Sequence, residues 1–154
     1  MVLTLTTEYQ TYLHPIVDLR LKSLKQEVEA LRAEDPVGYK SHPITKLLAK
    51  ALHSIRVEVP KNPAAPEYQL GNTIKPYKHW RRVKKGLPNR YRLFFRYSSA
   101  PPVIVHAWMN DEHTLRKAGA KTDVYTVFRK MLLRQDIPDN MEQLIAACLN
   151  KPAK

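Results

Sequence analysis

One cysteine, Cys148, stands among the 154 residues, so an internal disulfide framework is excluded. Its context, LIAACL, is apolar and helical, which suits a small hydrophobe packed in a core or at a surface. Glycine occurs four times. There is no phosphate-cradling P-loop, no dinucleotide fingerprint, no GxSxG, no CxxC and no HExxH. The six histidines are scattered, which leaves a metal site without support. Asp111, Glu112, His113 and Asp123 are the one set that folding could gather, although polar loop residues more commonly cap a helix or bind a partner. No run of about 18 apolar residues exists, so no bilayer-spanning helix is expected. The segment MVLTLTTEYQ lacks a basic region followed by an apolar one and is not expected to be a secretory signal. These absences predict a soluble, cytoplasmic protein without a disulfide, a metal or a nucleotide cofactor.

The scarcest thing is acid where base is dense. From Lys75 to Arg96 there are nine Lys and Arg residues and no Asp or Glu. The whole chain carries a formal charge of +12 and a pI near 9.9. Such a balance favours an acidic partner: nucleic acid, an anionic membrane or an acidic protein. With 44% hydrophobic residues the chain can also build a core, and its length fits one domain over residues 1–154.

Within the basic stretch, three runs rich in β-branched and aromatic residues cover 80–85, 90–97 and 103–109. Gly86-Leu87-Pro88-Asn89 and Ser98-Ser99-Ala100-Pro101-Pro102 punctuate them. The economical reading is an antiparallel meander. Alternation puts Tyr91, Leu93, Phe95 and Tyr97 on one face and Arg90, Arg92, Phe94 and Arg96 on the other. In the first run Arg82 and Lys84 share a face. The arginine face is expected to be an open basic surface interleaved with aromatics, suited to phosphates and bases. The competing reading is a solvated face that serves solubility, though such surfaces normally mix signs.

Elsewhere the periodicity is helical. A strand over 8–13 precedes a helix opened by His14-Pro15, with Ile16, Leu19 or Leu21, Leu24, Val28 and Leu31 on its apolar stripe. Asp35-Pro36 breaks it. His42-Pro43 opens a second helix whose face holds Ile44, Leu47, Leu48, Ala51, Leu52, Ile55 and Val59. Two such helices joined by a short turn predict a helical hairpin. Prolines make 60–66 a stiff connector, and a strand entry is expected over 67–71. A helix over 123–134, with Thr122 as candidate N-cap, buries Val124, Val127, Phe128, Met131 and Leu132. A last short helix covers 139–149. Residues 1–7 are expected to be loosely held and 72–78 to form a loop. Helices before and after a sheet define the α+β class.

Basic residues alone can cleave RNA, because RNA carries its own nucleophile. An enzyme must align the 2′-hydroxyl with the phosphorus, stabilise the phosphorane oxygens and manage two protons. Arginine and lysine serve the electrostatic part, and a phenol such as Tyr125 suits the orientation of a base or a proton. His106, in an apolar strand, reads as a hydrogen-bonded structural histidine rather than a base. Trp80 and Trp108 read as core or rim aromatics, with stacking on a base as the alternative.

The blocks WRRVK at 80–84, NRYRLFFRY at 89–97, WMNDEHTLR at 108–116 and KTDVYTVF at 121–128 resemble the YhaV-type toxins of bacterial type II toxin–antitoxin systems, in the RelE-like ribonuclease superfamily. The resemblance extends over about residues 8–135. It implies an RNA endonuclease, an mRNA interferase that needs no metal, works in association with the ribosome and inhibits translation and growth. It implies a RelE-like antiparallel or mixed sheet with an N-terminal helical hairpin on one face and a C-terminal helix. The partner it implies is a PrlF-like antitoxin with an AbrB-type DNA-binding domain, through which alone operator DNA would be met. Carried onto this chain, the catalytic residues are Arg82, Lys84, Arg92 and Tyr125. Arg81, Lys85, Arg90, Arg96, His113, Arg116 and Lys121 become RNA-binding candidates. Where many relatives place a basic residue after the last strand, this chain has Asn110-Asp111-Glu112-His113, so His113, Arg116 or Lys121 would supply the general acid. Two other readings stay open: a toxin of the same fold that binds a protein target such as gyrase, and a non-catalytic nucleic-acid-binding module. A membrane-surface role is disfavoured, since neither early helix sets a Lys/Arg-rich face opposite Trp or Phe.

Overall fold

The computed structural model describes residues 8–71 and 73–149. The expectations for residues 1–7 and for the start of the loop at residue 72 lie outside them. The chain begins with a strand, β1 (Gln10–Leu13), and a long helix, α1 (Pro15–Glu34). α2 (Pro43–His53) runs on through a π-helical turn at Ser54–Glu58 into the single turn α3 (Val59–Lys61). The expected strand entry after the proline connector is a 3₁₀ turn, Pro66–Tyr68, followed by one bridge from Gln69 to Arg81. Then come β2 (Arg81–Val83), β3 (Leu93–Ser99) and β4 (Pro102–Met109), and finally α4 (Val124–Leu133) and α5 (Met141–Leu149).

Both early helices start on a His-Pro pair for one physical reason. The Nδ1 atoms of His14 and His42 accept the backbone N–H of Ile16 and Ile44 at 3.1 and 3.2 Å, while the proline fills the first turn without an orphan donor. α4 starts on Asp123, whose carboxylate accepts the N–H of Tyr125 at 3.2 Å. Thr122, the expected cap, stands one residue too early.

The sheet order is β1-β4-β3-β2. β2, β3 and β4 form the expected antiparallel meander. β1 pairs with β4 in parallel, so the sheet is mixed. A bulge in β4 makes Ala107 the extra residue between the pairs Phe94–Trp108 and Phe95–His106.

Two cores lie on the two faces of this sheet. On one, Val17, Leu21 and Leu24 of α1 and Leu47, Leu48 and Ala51 of α2 pack with Leu93, Phe95, Ile104 and Met109. On the other, Phe128, Met131 and Leu132 of α4 and Leu144 and Cys148 of α5 pack with Trp80, Phe94, Val105 and Trp108. Phe94 stacks on Phe128 with ring centroids 4.1 Å apart and lies near parallel to Trp108 at 5.8 Å. Burying each such ring contributes about 1.5–3 kcal/mol.

The second core corrects the picture of an open basic face. α4 and α5 cover it, so Phe94, Trp80 and Trp108 are core residues, Arg92 just before β3 is buried and Arg96 within it is half-buried, while Arg90 stays exposed. The alternation itself holds: Leu93 and Phe95 face α1 and α2, and Phe94 faces α4. His106 is fully buried, 5.5 Å from the Phe95 ring, with both ring nitrogens unpartnered among the described residues rather than hydrogen bonded. Burial pushes its pKa down to about 3, which keeps it neutral.

Candidate active site

Four of the predicted residues converge where the N-terminus of α4 meets the sheet. Tyr125 stands in the first turn of α4, 5% exposed, with Phe94 edge-on at 5.8 Å beneath it. The Arg92 Nε donates to its hydroxyl at 3.0 Å. The guanidinium carbons of Arg116, Arg82 and Arg92 lie 4.9, 5.7 and 6.0 Å from the centre of its ring. Three cations around one phenol is an arrangement that attraction between guanidinium and ring supports only in part. The positive charge gathered there suits an anion.

Each arginine is held by a different device. Arg92 is 7% exposed, and its Nη1 donates to the Tyr91 carbonyl at 2.8 Å. Arg116 pairs with Asp123 at 2.9 Å. Asp123 also accepts the Lys117 N–H at 2.6 Å, so the α4 cap, the incoming loop and Arg116 are tied through one buried carboxylate. Arg82, on the edge strand β2, donates through Nη1 to the Gln69 carbonyl. Its Nε is buried and has no hydrogen-bond partner among the described residues.

Asn110 fixes the loop after β4 and was not anticipated from sequence. It is fully buried. Its Oδ1 accepts the Arg92 N–H at 2.8 Å, and its Nδ2 donates to the Arg90 and Thr114 carbonyls at 3.1 and 2.8 Å. Arg90 and Arg116 close the same junction: the Arg116 N–H meets the Arg90 carbonyl, and the Arg90 Nε meets the Arg116 carbonyl, both at 3.0 Å. Arg90 holds φ at 73°, a left-handed conformation that these bonds sustain. The one sequence signal for this role is an Asn where a strand ends.

Asp111 closes its own turn by accepting from His113 and Thr114, both at 2.9 Å, and Asp123 serves Arg116. Among the described residues, no group of three or more His, Cys, Asp or Glu could hold a metal ion.

The other predicted residues scatter. β2 ends at Val83, so the alternation meant to set Lys84 beside Arg82 stops short. Lys84 and Lys85 line a cavity of about 320 Å³ with His53, Glu58 and Glu67, on the side of α2. Arg81 is half-buried, 5.1 Å over the Tyr97 ring. Arg96 is half-buried, 5.9 Å over Trp80 and 3.6 Å from Asp139. His113 and Lys121 are exposed on the loop before α4, His113 lying 3.4 Å from Glu112. No helix among the described residues is long and apolar enough to cross a membrane.

With that geometry in place, comparison with known proteins gives a consistent result. The profile of the Toxin_YhaV family, described as a toxin with endonuclease activity of a toxin–antitoxin system, matches residues 11–149. The toxin YhaV of Escherichia coli O6:H1 is 46% identical over 135 residues, which cover 86% of this chain and 87% of that protein. The ribonuclease toxin YhaV of Escherichia coli K12 is 45% identical over the same shares. No solved structure gives a significant match.

Proposed function

This chain belongs to the YhaV family, toxins with endonuclease activity from toxin–antitoxin systems, and from that premise we propose that it is an RNA endonuclease whose active site is the Tyr125 cluster. The observation that carries the proposal is the convergence of Arg82, Arg92 and Arg116 on one phenol that has a hydroxyl proton to give. Because the Tyr125 oxygen accepts from Arg92, its own O–H is free to donate toward the substrate.

In the proposed reaction the scissile phosphate takes the place that the three cations leave for an anion. Arg82 and Arg116 bind the non-bridging oxygens and stabilise the charge of the phosphorane. The RNA 2′-oxygen attacks phosphorus, its proton passing to solvent, and the bond from phosphorus to the 5′-oxygen breaks. Tyr125 gives its proton to that leaving oxygen and Arg92 stabilises the phenolate that results. The products are a 2′,3′-cyclic phosphate and a 5′-hydroxyl. No metal is invoked, since three guanidinium groups supply positive charge at this point and would repel a divalent cation. Lys84 is set aside as the base, because it lies with Glu58 and Glu67 around another cavity.

The wider reading follows the family. We read the fold as RelE-like, with α1 and α2 as the helical hairpin on one face, and the chain as a single domain because both cores share one sheet. A toxin of such a system has an antitoxin, for which a PrlF-like protein with an AbrB-type domain is the proposed identity. The substrate is mRNA met on the ribosome, and the net charge of +12 suits an RNA-rich surface. Mapping RNA ends after induction in a bacterial host tests this. New 5′-hydroxyl ends inside reading frames, absent with Tyr125→Phe, are expected. Growth arrest without new ends would overturn the endonuclease reading.

A further inference from the structure

A second basic feature lies at the N-terminal end of the edge strand β2, where Arg81 precedes the Arg82 of the Tyr125 cluster. Lys78, His79, Arg81, Arg96, Tyr97 and Ser98 line a cavity of about 430 Å³. Among the described residues no acidic side chain lines it, in contrast to the larger neighbouring cavity, where Asp139 and Glu142 take part.

The cavity follows from the register of the sheet. β2 pairs with β3 through Arg81–Phe95, Arg82–Phe94 and Val83–Leu93. Beyond Arg81 the chain leaves the sheet, so the β3 edge from Arg96 to Ser99 faces the cavity instead of a strand.

Two guanidinium groups are fixed there by aromatic rings. Arg81 lies over Tyr97, and Arg96 lies over Trp80 with one end tethered to Asp139. The Trp80 indole N–H also donates to Asp139, at 2.8 Å, which sets that carboxylate in place. Arg81 and Arg96 stand on the two sides of the β3 edge, and with the exposed Lys78 they give one cavity a positive lining that no lining carboxylate among the described residues offsets, which favours an anion there.

We infer that this cavity is a second phosphate subsite, which holds the RNA backbone away from the cleaved bond. The occupant rests on the endonuclease reading above; the chemistry of the cavity does not. Arg92, immediately before β3, and Arg96 within it are four residues apart, about 13 Å at strand rise. The subsite therefore takes a phosphate further along the strand whose scissile phosphate sits at Tyr125. The contact is with phosphate rather than base, so it adds affinity without sequence preference.

Binding of uncleavable RNA tests this without reference to cleavage. The probes are a trimer and a decamer of 2′-O-methyl uridylate, measured with wild type, Lys78→Glu and Arg81→Gln across a salt series. Lys78 is exposed, so its variant keeps the test valid should the half-buried Arg81 prove necessary for folding. Decamer affinity is expected to fall about tenfold in each variant, the size expected for losing a hydrogen bond to a charged group. The salt dependence should become shallower by about 0.7 in log–log slope, and the trimer should be affected less. Decamer binding and slope equal to wild type in both variants would overturn the subsite. So would variants that lose a poly-glutamate peptide but hold the decamer as wild type does, since the cavity would then serve an acidic protein. Weaker decamer binding together with no cleavage by wild type would leave the subsite standing and remove the endonuclease reading instead.

Discussion

Arg82 and Lys84 lie two residues apart in a stretch free of acid, yet they end in opposite environments. Arg82 joins two other arginines around a phenol, with Asp123 as the one carboxylate, turned toward Arg116. Lys84 faces a cavity shared with Glu58 and Glu67. Strand length makes the difference: pairing ends at Val83, and the turn carries the next residues to the α2 side. Charge density along a sequence therefore does not locate a site. What locates it is the point where another element holds the charges together, here the first turn of α4.

The sharpest break of this comparison is Arg82→Ala. It is expected to lower RNA cleavage by about 10²–10³-fold, the scale of losing one preorganised transition-state donor, with a melting curve close to wild type. Cleavage within tenfold of wild type by a folded variant would return Arg82 to the class of solvated charges. Tyr125→Phe keeps the ring packed on Phe94 and removes only the hydroxyl. A loss of about 10²-fold in single-turnover rate is expected, as for removal of a general acid. Loss of ground-state RNA binding alone would assign the phenol to substrate contact instead.

A third test separates the site from the scaffold beneath it. His106 is held neutral inside the sheet with its pKa lowered to about 3, and burial also lowers that of His14. Unfolded, both bind a proton near pH 6.5. Their contribution to stability is complete above that pH and is lost as pH falls below it, for His106 down to about 3. For His106 alone the slope is about 1.4 kcal/mol per pH unit. Chemical denaturation at a series of pH values should show this fall, and His106→Asn should flatten it. The smallest effect belongs to Lys84→Ala, expected to change cleavage by less than about threefold, as removing an exposed charge does. A loss matching that of Arg82→Ala would show that the lysine reaches the reacting phosphate.

The meander and the His-Pro starts of α1 and α2 can be read from residue order, whereas the grouping of Arg82, Arg92 and Tyr125 is implied by the family resemblance alone. Alternation through Leu93, Phe94 and Phe95, His-Pro pairs and turn residues are local signals that the fold obeys. What covers each face is not local. Nothing in the basic stretch announces that Phe128 will stack on Phe94, so the arginine face reads as an open surface. The parallel pairing of β1 with β4 spans more than ninety residues and leaves no mark in either strand. Arg116 reads from the sequence as an RNA contact or a general acid, and its place beside Tyr125 depends on Asn110 and Asp123, which tie its loop to the start of α4.

The most direct test of the central claim is the single-turnover cleavage rate of one end-labelled RNA in EDTA, by wild type, Arg82→Ala and Lys84→Ala under identical conditions. The account predicts cleavage that survives EDTA and yields a 5′-hydroxyl, abolished or nearly so in Arg82→Ala and close to wild type in Lys84→Ala. Cleavage that requires added metal, or equal losses in the two variants, would contradict it.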